Sequence, residues 1–527
     1  MRFLLPPVLL VAAITASACT QTTTPNAEGT QDGSAIVLAD ATEPATLNPL
    51  LGYGSEGVSK IFDGLVEHGV DRTVHPQLAA ELPTPAQDGL SWTVKLRNDV
   101  KFTDGTTFGA EDVLATYRAL LDPATGSTVR SSFAALTGVE QLDVTTVRFT
   151  LAHPYAPFPN LLVLGILPSE ALAGGGPLAN SPINTGPVGT GPYKLVEWRK
   201  GDRMVLESNP AHLEGDPKVK KVTVVFVPDD NTRAQGMQKG EYDGTDLPPR
   251  LATVFSNTSG LRVLDHRTAD LRAITLPTGK PVTGDPAMRL ALNLAVNRQG
   301  MIDNLLAGKG TPASTPVPAE LPEFVDPTAV FKYDKVQAEA VLDLAGWVRG
   351  ADGMRARNGV AASFTLMYPV GDVVRGDLAT AFAADAKAIG VDVQLAGLSR
   401  EAITPRLHDN AVLGGEGNPF DLDPALYRAL HSAPAGGADN PGGYSDAAVD
   451  AALDAGRKLL DPAQRTAAYV QFQRAYVADP GLVTLAFVSH TYVMRENWNG
   501  YLPVVDPTRH GALTWGPWWN LQKWTPK

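Results

Sequence analysis

The residue types that could do chemistry are scattered along this chain and form none of the common catalytic patterns. The 527 residues contain no His-Glu-x-x-His, no Gly-x-Ser-x-Gly and no Gly-x-x-x-x-Gly-Lys-Ser/Thr. No two of the nine histidines are spaced i,i+4, so no helix would present two of them on one face. The single cysteine, Cys19, lies near the N-terminus, which excludes disulfides and cysteine-ligated metals from the rest of the chain. We therefore expect no enzyme activity, no cofactor and no metal site.

Two stretches look superficially like sites. Gly186–Pro192 resembles a phosphate loop, but Pro187 and Pro192 lack the backbone N–H groups that such a loop aims at phosphate. We interpret it as a rigid turn that leads into a strand at Tyr193–Trp198. The C-terminal tryptophans could form a stacking platform for a ligand, but packing of a closing segment is the favoured interpretation. They are Trp515, Trp518, Trp519 and Trp524.

Composition limits the class of protein. Apolar residues make up 44% and charged residues 19% of the chain, as in ordinary globular proteins. The length predicts about three domains or two large ones. Lys plus Arg number 44 and Asp plus Glu number 56, so the net charge is −12. This acidic balance argues against nucleic acid as a partner, because phosphate binding needs a basic surface.

The first residues have the features of an export signal. Arg2 precedes an apolar stretch that is too short to span a membrane, and small residues come directly before Cys19. The segment resembles a lipobox, so residues 1–19 are interpreted as a lipoprotein signal peptide with Cys19 as the lipidation site. Simple secretion with an incidental cysteine is the alternative. Residues 20–33 are polar and without apolar periodicity, which predicts a flexible tether.

The remaining chain alternates between strand and helix patterns. Ala35–Ala39 is an apolar run typical of a buried strand. The clearest helix is predicted for 285–308, with Asp285 as N-cap, Pro286 in the first turn and a possible break at Gly300. Asp334 is predicted to cap a further helix. This alternation indicates an α/β protein.

Nine stretches occur in an order that resembles the extracytoplasmic solute-binding proteins of ABC importers, in the dipeptide, oligopeptide and nickel-binding family (family 5, cluster C type). Together they extend over most of the chain, from about residue 36 to 524. They are Glu43–Pro49, Ile61–Leu65, His75–Ala79, Trp92–Val113, Gly189–Tyr193, Gly240–Asp243, Arg289–Arg298, Ala345–Trp347 and Gly443–Asp450.

The resemblance implies an α/β, two-lobed periplasmic-binding-protein-like fold of type II, from the large cluster with an extra subdomain, and a hinged clamshell motion. It implies that residues 34–74, 185–275 and 485–527 form the core of lobe I. Residues 75–184 would form its extra subdomain, and residues 276–484 would form lobe II.

The resemblance also implies a function. The chain would be a substrate-binding lipoprotein, anchored to the outer face of the cytoplasmic membrane, that captures di- to oligopeptides in the interlobe cleft. It would deliver them to a membrane permease with separate ATPase subunits, and it would act as a monomer. The alternatives are that the same scaffold binds a nickel or metallophore chelate or another small solute and, more remotely, that the chain is a secreted hydrolase.

Ligand contacts in relatives come from a loop after the opening motif and from a loop in the second lobe. The corresponding candidate residues here are Leu51, Gly52, Tyr53, Gly54, Glu416, Gly417, Asn418, Phe420, Asp421 and Asp423.

Peptide-binding relatives use an aspartate in the second loop to pair with the ligand's α-ammonium group. Asn418 or Phe420 stands at the expected position, so Glu416, Asp421 or Asp423 could take that role. Alternatively, Asp421 and Asp423 only cap the helix that follows. Nickel-type relatives carry a tryptophan and a tyrosine where this chain has Glu416 and Phe420, which weakens a nickel interpretation.

Overall fold

The structure is a computed structural model that describes residues 34–433 and 440–527. The predicted signal peptide with Cys19 and the predicted tether lie outside the described residues. The elements below therefore refer to those two ranges.

Most of the strands are short, and several have only two or three residues. In chain order they are β1 Ala35–Asp40, β2 Val66–His68, β3 Val74–Pro76, β4 Thr84–Pro85, β5 Ser91–Lys95, β6 Leu136–Asp143, β7 Thr146–Leu151, β8 Tyr193–Arg199, β9 Arg203–Ser208, β10 Lys221–Phe226, β11 Gly244–Asp246, β12 Leu261–His266, β13 Leu271–Thr275, β14 Gly310–Pro312, β15 Val348–Arg349, β16 Arg355–Arg357, β17 Val360–Ala361, β18 Ser363–Pro369, β19 Asp392–Leu398, β20 Ala411–Glu416, β21 Leu482–Val488, β22 His490–Arg495, β23 Trp498–Asn499 and β24 Thr525–Pro526.

The α-helices alternate with these strands. In chain order they are α1 Ala110–Leu121, α2 Phe158–Leu161, α3 Ser169–Leu172, α4 Asp230–Lys239, α5 Pro249–Ala252, α6 Pro286–Ala295, α7 Arg298–Leu305, α8 Lys335–Leu344, α9 Val373–Ala388, α10 Arg400–Ile403, α11 Asp423–Leu430, α12 Ala447–Lys458 and α13 Pro462–Ala478.

The first large sheet has seven strands in the order β12-β22-β11-β1-β10-β9-β8. Its central strand β1 pairs in parallel with β10 and β11. Ile36 and Leu38 of β1 are each 1% exposed, as the apolar run in the sequence predicts. Beside this sheet, β4, β5, β7 and β6 form a smaller antiparallel sheet against which α1 packs.

The second large sheet has six strands in the order β14-β21-β13-β20-β18-β19. In this sheet β18 runs parallel to β19 and to the start of β20, while β13 is antiparallel to β20 and β21. The carboxyl ends of the parallel strands β18, β19 and β20 therefore meet at one edge, together with the start of β13. Such an edge is where α/β sheets commonly bind ligands.

The chain passes between the two large sheets twice within the described residues, from β12 to β13 and from β21 to β22. The second sheet thus begins at Leu271 and ends at Val488. The division expected from the sequence placed Leu271–Thr275 and Leu485–Val488 in lobe I, whereas these residues belong to β13 and β21 of the six-stranded sheet.

Local sequence signals identify the elements well but not every boundary. Asp285 caps α6 by accepting the N–H of Ala287 at 2.9 Å, as predicted. The predicted single helix is divided, and the expected break at Gly300 is wrong. The break lies after Ala295 because the side chain of Asn297 starts a new helix, α7, by accepting the N–H of Gly300.

The two stretches that look like sites are structural. A side chain at Gly189 or Gly191 would overlap the backbone of Ile61, so these glycines allow the turn before β8 to pack closely. Trp515, Trp518 and Trp524 are each at most 1% exposed, which confirms the packing interpretation for these three, whereas Trp519 is half-buried.

Candidate ligand-binding site between the lobes

The first candidate loop is a single tight turn in lobe I. The side chain of Asn48 accepts the N–H of Leu50 at 3.0 Å, and Pro49 starts the turn. Gly52 ends the turn with φ +99°, a conformation that favours glycine. A side chain at Gly52 would meet only Thr128. The turn therefore leaves open space beside its backbone.

Tyr53, the aromatic residue of this loop, packs into lobe I. Its side chain is 7% exposed, and its ring meets Phe62 edge-on with centroids 6.3 Å apart. Burial raises the pKa of the Tyr53 hydroxyl above its usual value. Leu51 and Gly54 on either side are half-buried. The Tyr53 phenol is thus neutral and packed inside lobe I, and the loop Leu51–Gly54 carries no charged side chain.

The second candidate loop runs from 416 to 423, and its backbone is held both by its own residues and by neighbouring segments. Gly417 packs so closely on the carbonyl of Ala269 that no side chain fits there, and its carbonyl accepts the Thr508 hydroxyl at 3.0 Å. The side chain of Asn418 accepts the N–H groups of Phe420 and Asp421 at 2.8 and 3.2 Å. The side chain of Glu416 lies outside the described part of the chain.

Phe420 is the clearest contact between the lobes in this loop. Its ring stacks on His68 with centroids 3.7 Å apart and planes 2° from parallel. On its other side Trp515 lies 5.0 Å away at 36°, and the Trp515 indole donates to the carbonyl of Glu56 at 3.1 Å. Burial lowers the pKa of His68 to about 4, so this histidine is neutral at physiological pH. A ring of the second lobe is therefore inserted between two rings of the first.

Asp421 and Asp423 form ion pairs with arginines of their own lobe. Arg465 binds Asp421 Oδ1 at 2.6 Å, and Arg457 binds both oxygens of Asp423 at 2.9 and 3.0 Å. Tyr155 also donates its hydroxyl to Asp423 at 2.8 Å. The two carboxylates are 3% and 1% exposed. Each is thus paired with an arginine inside the protein. The prediction that Glu416, Asp421 or Asp423 receives a ligand's ammonium group stays a prediction.

The helix-capping alternative also needs a correction. Asp423 is the first residue of α11, and Leu422, which has no capping side chain, precedes it. Asp421 instead accepts the N–H of Asp423 at 2.8 Å and so orders the turn before the helix.

The extra subdomain touches lobe II beside this loop. In addition to the bond from Tyr155 to Asp423, Ala156 donates its N–H to the carbonyl of Arg457 at 2.9 Å. Asn160 lies 3.4 Å from Asp421. Because these groups belong to different lobes, the described conformation is a closed one.

Strand β20 offers an unpaired backbone edge next to the second loop. On one side it pairs with β13 along Val412–Glu416. On the other side the ladder to β18 includes only Ala411 and Val412. A β-carbon at Gly414 would meet no atom within 4 Å. Within the described residues, β20 from Leu413 onward therefore has no strand partner on its β18 side and no side-chain bulk at Gly414.

A buried charge cluster lies where the chain crosses between the sheets. The two ring nitrogens of His490 lie 3.2 Å from Asp270 and 3.4 Å from Asp506. Carboxylates only accept hydrogen bonds, so both nitrogens carry protons and the ring is a cation. Although burial opposes the charge, these hydrogen bonds raise the pKa of His490 to about 9.

Asp506 is the acceptor at the centre of this cluster. It is 0% exposed and also accepts hydrogen bonds from His266 at 3.1 Å and Tyr492 at 2.6 Å. Burial opposes its ionisation, but these cationic and donor groups hold the pKa of Asp506 well below its usual value. Its segment forms a β-bridge with Thr268 of the first crossing. The cluster thus ties both crossings to the C-terminal segment.

Several residues at the lobe boundary were missed by the sequence reasoning. His68, Asn160, Arg272, Arg375 and His490 come from distant parts of the chain and carry no local motif. The C-terminal tryptophans stand out in the sequence, but the contact of Trp515 with Phe420 is visible only in the folded structure.

Across residues 34–433 and 440–527, no group of three or more His, Cys, Asp or Glu side chains is arranged to hold a metal ion. In the same ranges, no helix combines the length and apolar character needed to cross a bilayer.

The closed, two-lobed α/β architecture is that of a class of binding proteins, and comparison with known families agrees. Residues 73–437 match the family described as bacterial extracellular solute-binding proteins, family 5 Middle. The chain belongs to this family. It is thus a substrate-binding protein of the kind that serves ABC importers outside the cytoplasm, and the predicted fold class is confirmed.

Individual relatives span nearly the whole chain. The chain is 44% identical over 490 residues to Protein XP55 of Streptomyces lividans, covering 93% of this chain and 90% of the relative. NikZ from Campylobacter jejuni in complex with Ni(L-His) superposes with a TM-score of 0.85 and 26% identity, covering 94% of this chain and 99% of NikZ. AppA from Bacillus subtilis in complex with a nonapeptide superposes with a TM-score of 0.79 and 25% identity, covering 93% of this chain and 98% of AppA.

Proposed function

We propose that this protein captures di- to oligopeptides between its lobes and delivers them to the permease of an ABC importer. The observation that carries the proposal is the unpaired edge of β20 at Gly414 and Gly415. An extended peptide can add to such an edge by main-chain hydrogen bonds, which bind many sequences alike. AppA from Bacillus subtilis, solved in complex with a nonapeptide, supports the same ligand class.

The two candidate loops would form the walls around this edge. Leu51–Gly54 would present the open backbone at Gly52, and the buried side chain of Tyr53 would hold this loop on lobe I. Gly417 and Asn418 continue from β20 on the lobe II side. Neither loop offers a free carboxylate among its described side chains, because Asp421 and Asp423 are paired with arginines. Affinity would therefore come mainly from the backbone.

Capture would use closure of the lobes. A ligand shifts an open–closed equilibrium only by its differential affinity for the closed state. A peptide on β20 would meet the Tyr53 loop only when Phe420 has entered the slot between His68 and Trp515. The closed form would then be the one recognised by the permease, whose separate subunits hydrolyse ATP.

We also propose that Cys19 is acylated and that residues 20–33 tether a monomeric protein to the outer face of the cytoplasmic membrane. Metabolic labelling with an alkyne fatty acid tests this. Label on the wild type and none on Cys19→Ser would support the anchor, and equal label on both would contradict it.

The ligand is tested by calorimetry on the protein lacking residues 1–19, with alanine peptides of two to nine residues. Gly414→Val would place a branched side chain in the open space beside β20 and is expected to weaken peptide binding at least tenfold. Gly138→Val is the matched control, because Gly138 also lies in a strand with no atom within 4 Å of its β-carbon position. Unchanged binding by Gly414→Val would contradict the proposed edge.

A metal chelate is the second candidate ligand. The similarity to NikZ, solved in complex with Ni(L-His), favours it. In such a complex the histidine supplies ligands to the metal, so the protein need not hold a metal cluster of its own. Binding of nickel–histidine together with no binding of any peptide would replace the peptide proposal by this one.

A further inference from the structure

Two arginines meet over Gly415, beside the proposed peptide edge. Arg272 lies in β13 opposite Gly415, and Arg375 lies in the first turn of α9. Their guanidinium nitrogens are 2.5 and 2.7 Å from the position that a β-carbon of Gly415 would occupy. The missing side chain is thus what allows the two cations to come together.

These guanidinium groups have more donors than acceptors. Each group has five N–H donors. Within the described residues, Arg272 binds Asp270 and Arg375 binds Asp372, one hydrogen bond from each side chain. The Nε atoms of both arginines are buried and find no hydrogen-bond partner among the described residues. Buried donors without acceptors are costly, so the pair has a deficit of acceptor oxygens.

The charges around the pair do not remove this deficit. Asp270 is shared between Arg272 and the cationic ring of His490. Asp372 is the N-cap of α9, so one of its oxygens already accepts a hydrogen bond from the backbone N–H of Arg375. Burial and the charge of Arg272 lower the pKa of Arg375. The side chains are only 12% and 13% exposed, so most of their desolvation has already occurred on folding.

The position of the pair fits a ligand group. It lies at the edge where β18, β19 and β20 end, next to the N-terminus of a 16-residue helix. An oxyanion there would receive planar, forked hydrogen bonds of the kind that arginine makes to carboxylates.

We propose that Arg272 and Arg375 bind one carboxylate of the captured solute and so select acidic or free C-terminal ligands. This inference rests on the proposed function, since it names a subsite beside the same β20 edge. Asp270 joins Arg272 to His490, so the subsite is also directly connected to the charge cluster at the crossing strands.

The test is calorimetry with paired peptides on the wild type, Arg375→Gln and Arg375→Lys. The ratio of the affinities for tetra-alanine and for its C-terminal amide measures the preference for a free terminal carboxylate. The blocked tripeptide Ac-Ala-Glu-Ala-NH2 against Ac-Ala-Gln-Ala-NH2 measures a side-chain carboxylate. In at least one pair the wild type should prefer the carboxylate tenfold or more, Arg375→Gln should reduce the preference to twofold or less, and Arg375→Lys should keep part of it.

Arg349→Gln is the control, because Arg349 pairs with Glu339 at an exposed position on a separate hairpin. Arg272→Lys checks the second arginine while keeping its charge beside Asp270. A wild type that binds both members of each pair equally would overturn the carboxylate subsite and leave peptide binding intact.

Failure of the peptide proposal itself is distinguishable. If no peptide binds, citrate is used as a peptide-free carboxylate, and the rise in melting temperature is compared between the wild type and Arg375→Gln. A rise that is lost in the variant supports the subsite, and an equal rise or none overturns it.

Discussion

The lobes of this protein meet in two regions that are built from different chemistry. At the crossing strands, Asp270, His490 and Asp506 form a buried charge cluster. On the other side, Phe420 inserts between the uncharged rings of His68 and Trp515. The first region lies on the two segments in which the chain itself passes from one lobe to the other. In the second region the lobes are held together only by side-chain contacts.

This difference indicates a division of roles. Paired buried charges are strongly directional, and separating one partner leaves an uncompensated charge, so the cluster resists rearrangement. Stacked rings lose only their contact area and their ring interaction when they separate. We therefore expect the charge cluster to fix the pivot and the aromatic contact to set how readily the lobes open.

The largest expected effect is loss of the central acceptor in the charge cluster. Asp506→Ala leaves His266, His490 and Tyr492 without their shared carboxylate. Removing one partner of a buried charge pair costs about 3–5 kcal/mol. Urea denaturation should show a decrease of that size in the free energy of unfolding. Asp216→Ala, which breaks an exposed pair with Lys220, should change it by less than about 1 kcal/mol; equal effects would contradict the comparison.

The second prediction concerns the pH dependence of stability. The pKa of His490 is raised to about 9, above the ordinary value near 6.5, so its stabilisation is complete below about pH 6.5 and is lost as the pH rises through 9. The shift corresponds to about 3 kcal/mol. The ring of His510, stacked 3.6 Å from His490, does not titrate in this window, because burial lowers its pKa to about 3.

Thermal melts between pH 6.5 and 9.5 measure this contribution. The melting temperature of the wild type should fall more steeply across the window than that of His490→Gln. The exposed His408 provides the control variant His408→Gln, which should follow the wild type. Parallel curves for the wild type and His490→Gln would show that the imidazolium does not stabilise the cluster.

The smallest of these effects is expected on the aromatic side. Phe420→Ala removes two ring contacts between the lobes, worth on the order of 2 kcal/mol. Small-angle X-ray scattering should show a larger radius of gyration for the ligand-free variant, and the free energy of unfolding should fall by no more than about 2 kcal/mol. Tyr333→Ala, at an exposed aromatic on lobe II, serves as the control. Loss of folding stability without opening would assign Phe420 to the core instead of the closure contact.

The sequence predicts those features that depend on neighbouring residues. Asp285 and Asp334 were recognised as helix caps because a cap bonds to an N–H two or three residues away. The break near Gly300 was misplaced because the side chain of Asn297 competes to start a helix of its own. Glycine at that point only makes the helix less stable and does not end it.

The roles of Asp421 and Asp423 depend on distant partners. Arg465 and Arg457 are 44 and 34 residues away in the chain, and no local pattern shows that they neutralise these carboxylates. The same reason hides Arg272 and Arg375, which are brought together over Gly415 only when β13, β20 and α9 assemble. The family resemblance located the second loop, but the structure determines which of its side chains are already occupied.

The most direct test of the account is a crystal structure of the protein lacking residues 1–19, grown with the alanine peptide that calorimetry shows to bind most tightly. The account predicts a peptide main chain hydrogen-bonded along β20 at Gly414, with the Tyr53 loop on its other side and Phe420 between His68 and Trp515. A bound ligand that makes no main-chain contact with β20, or that lies outside the space between the two large sheets, would contradict it.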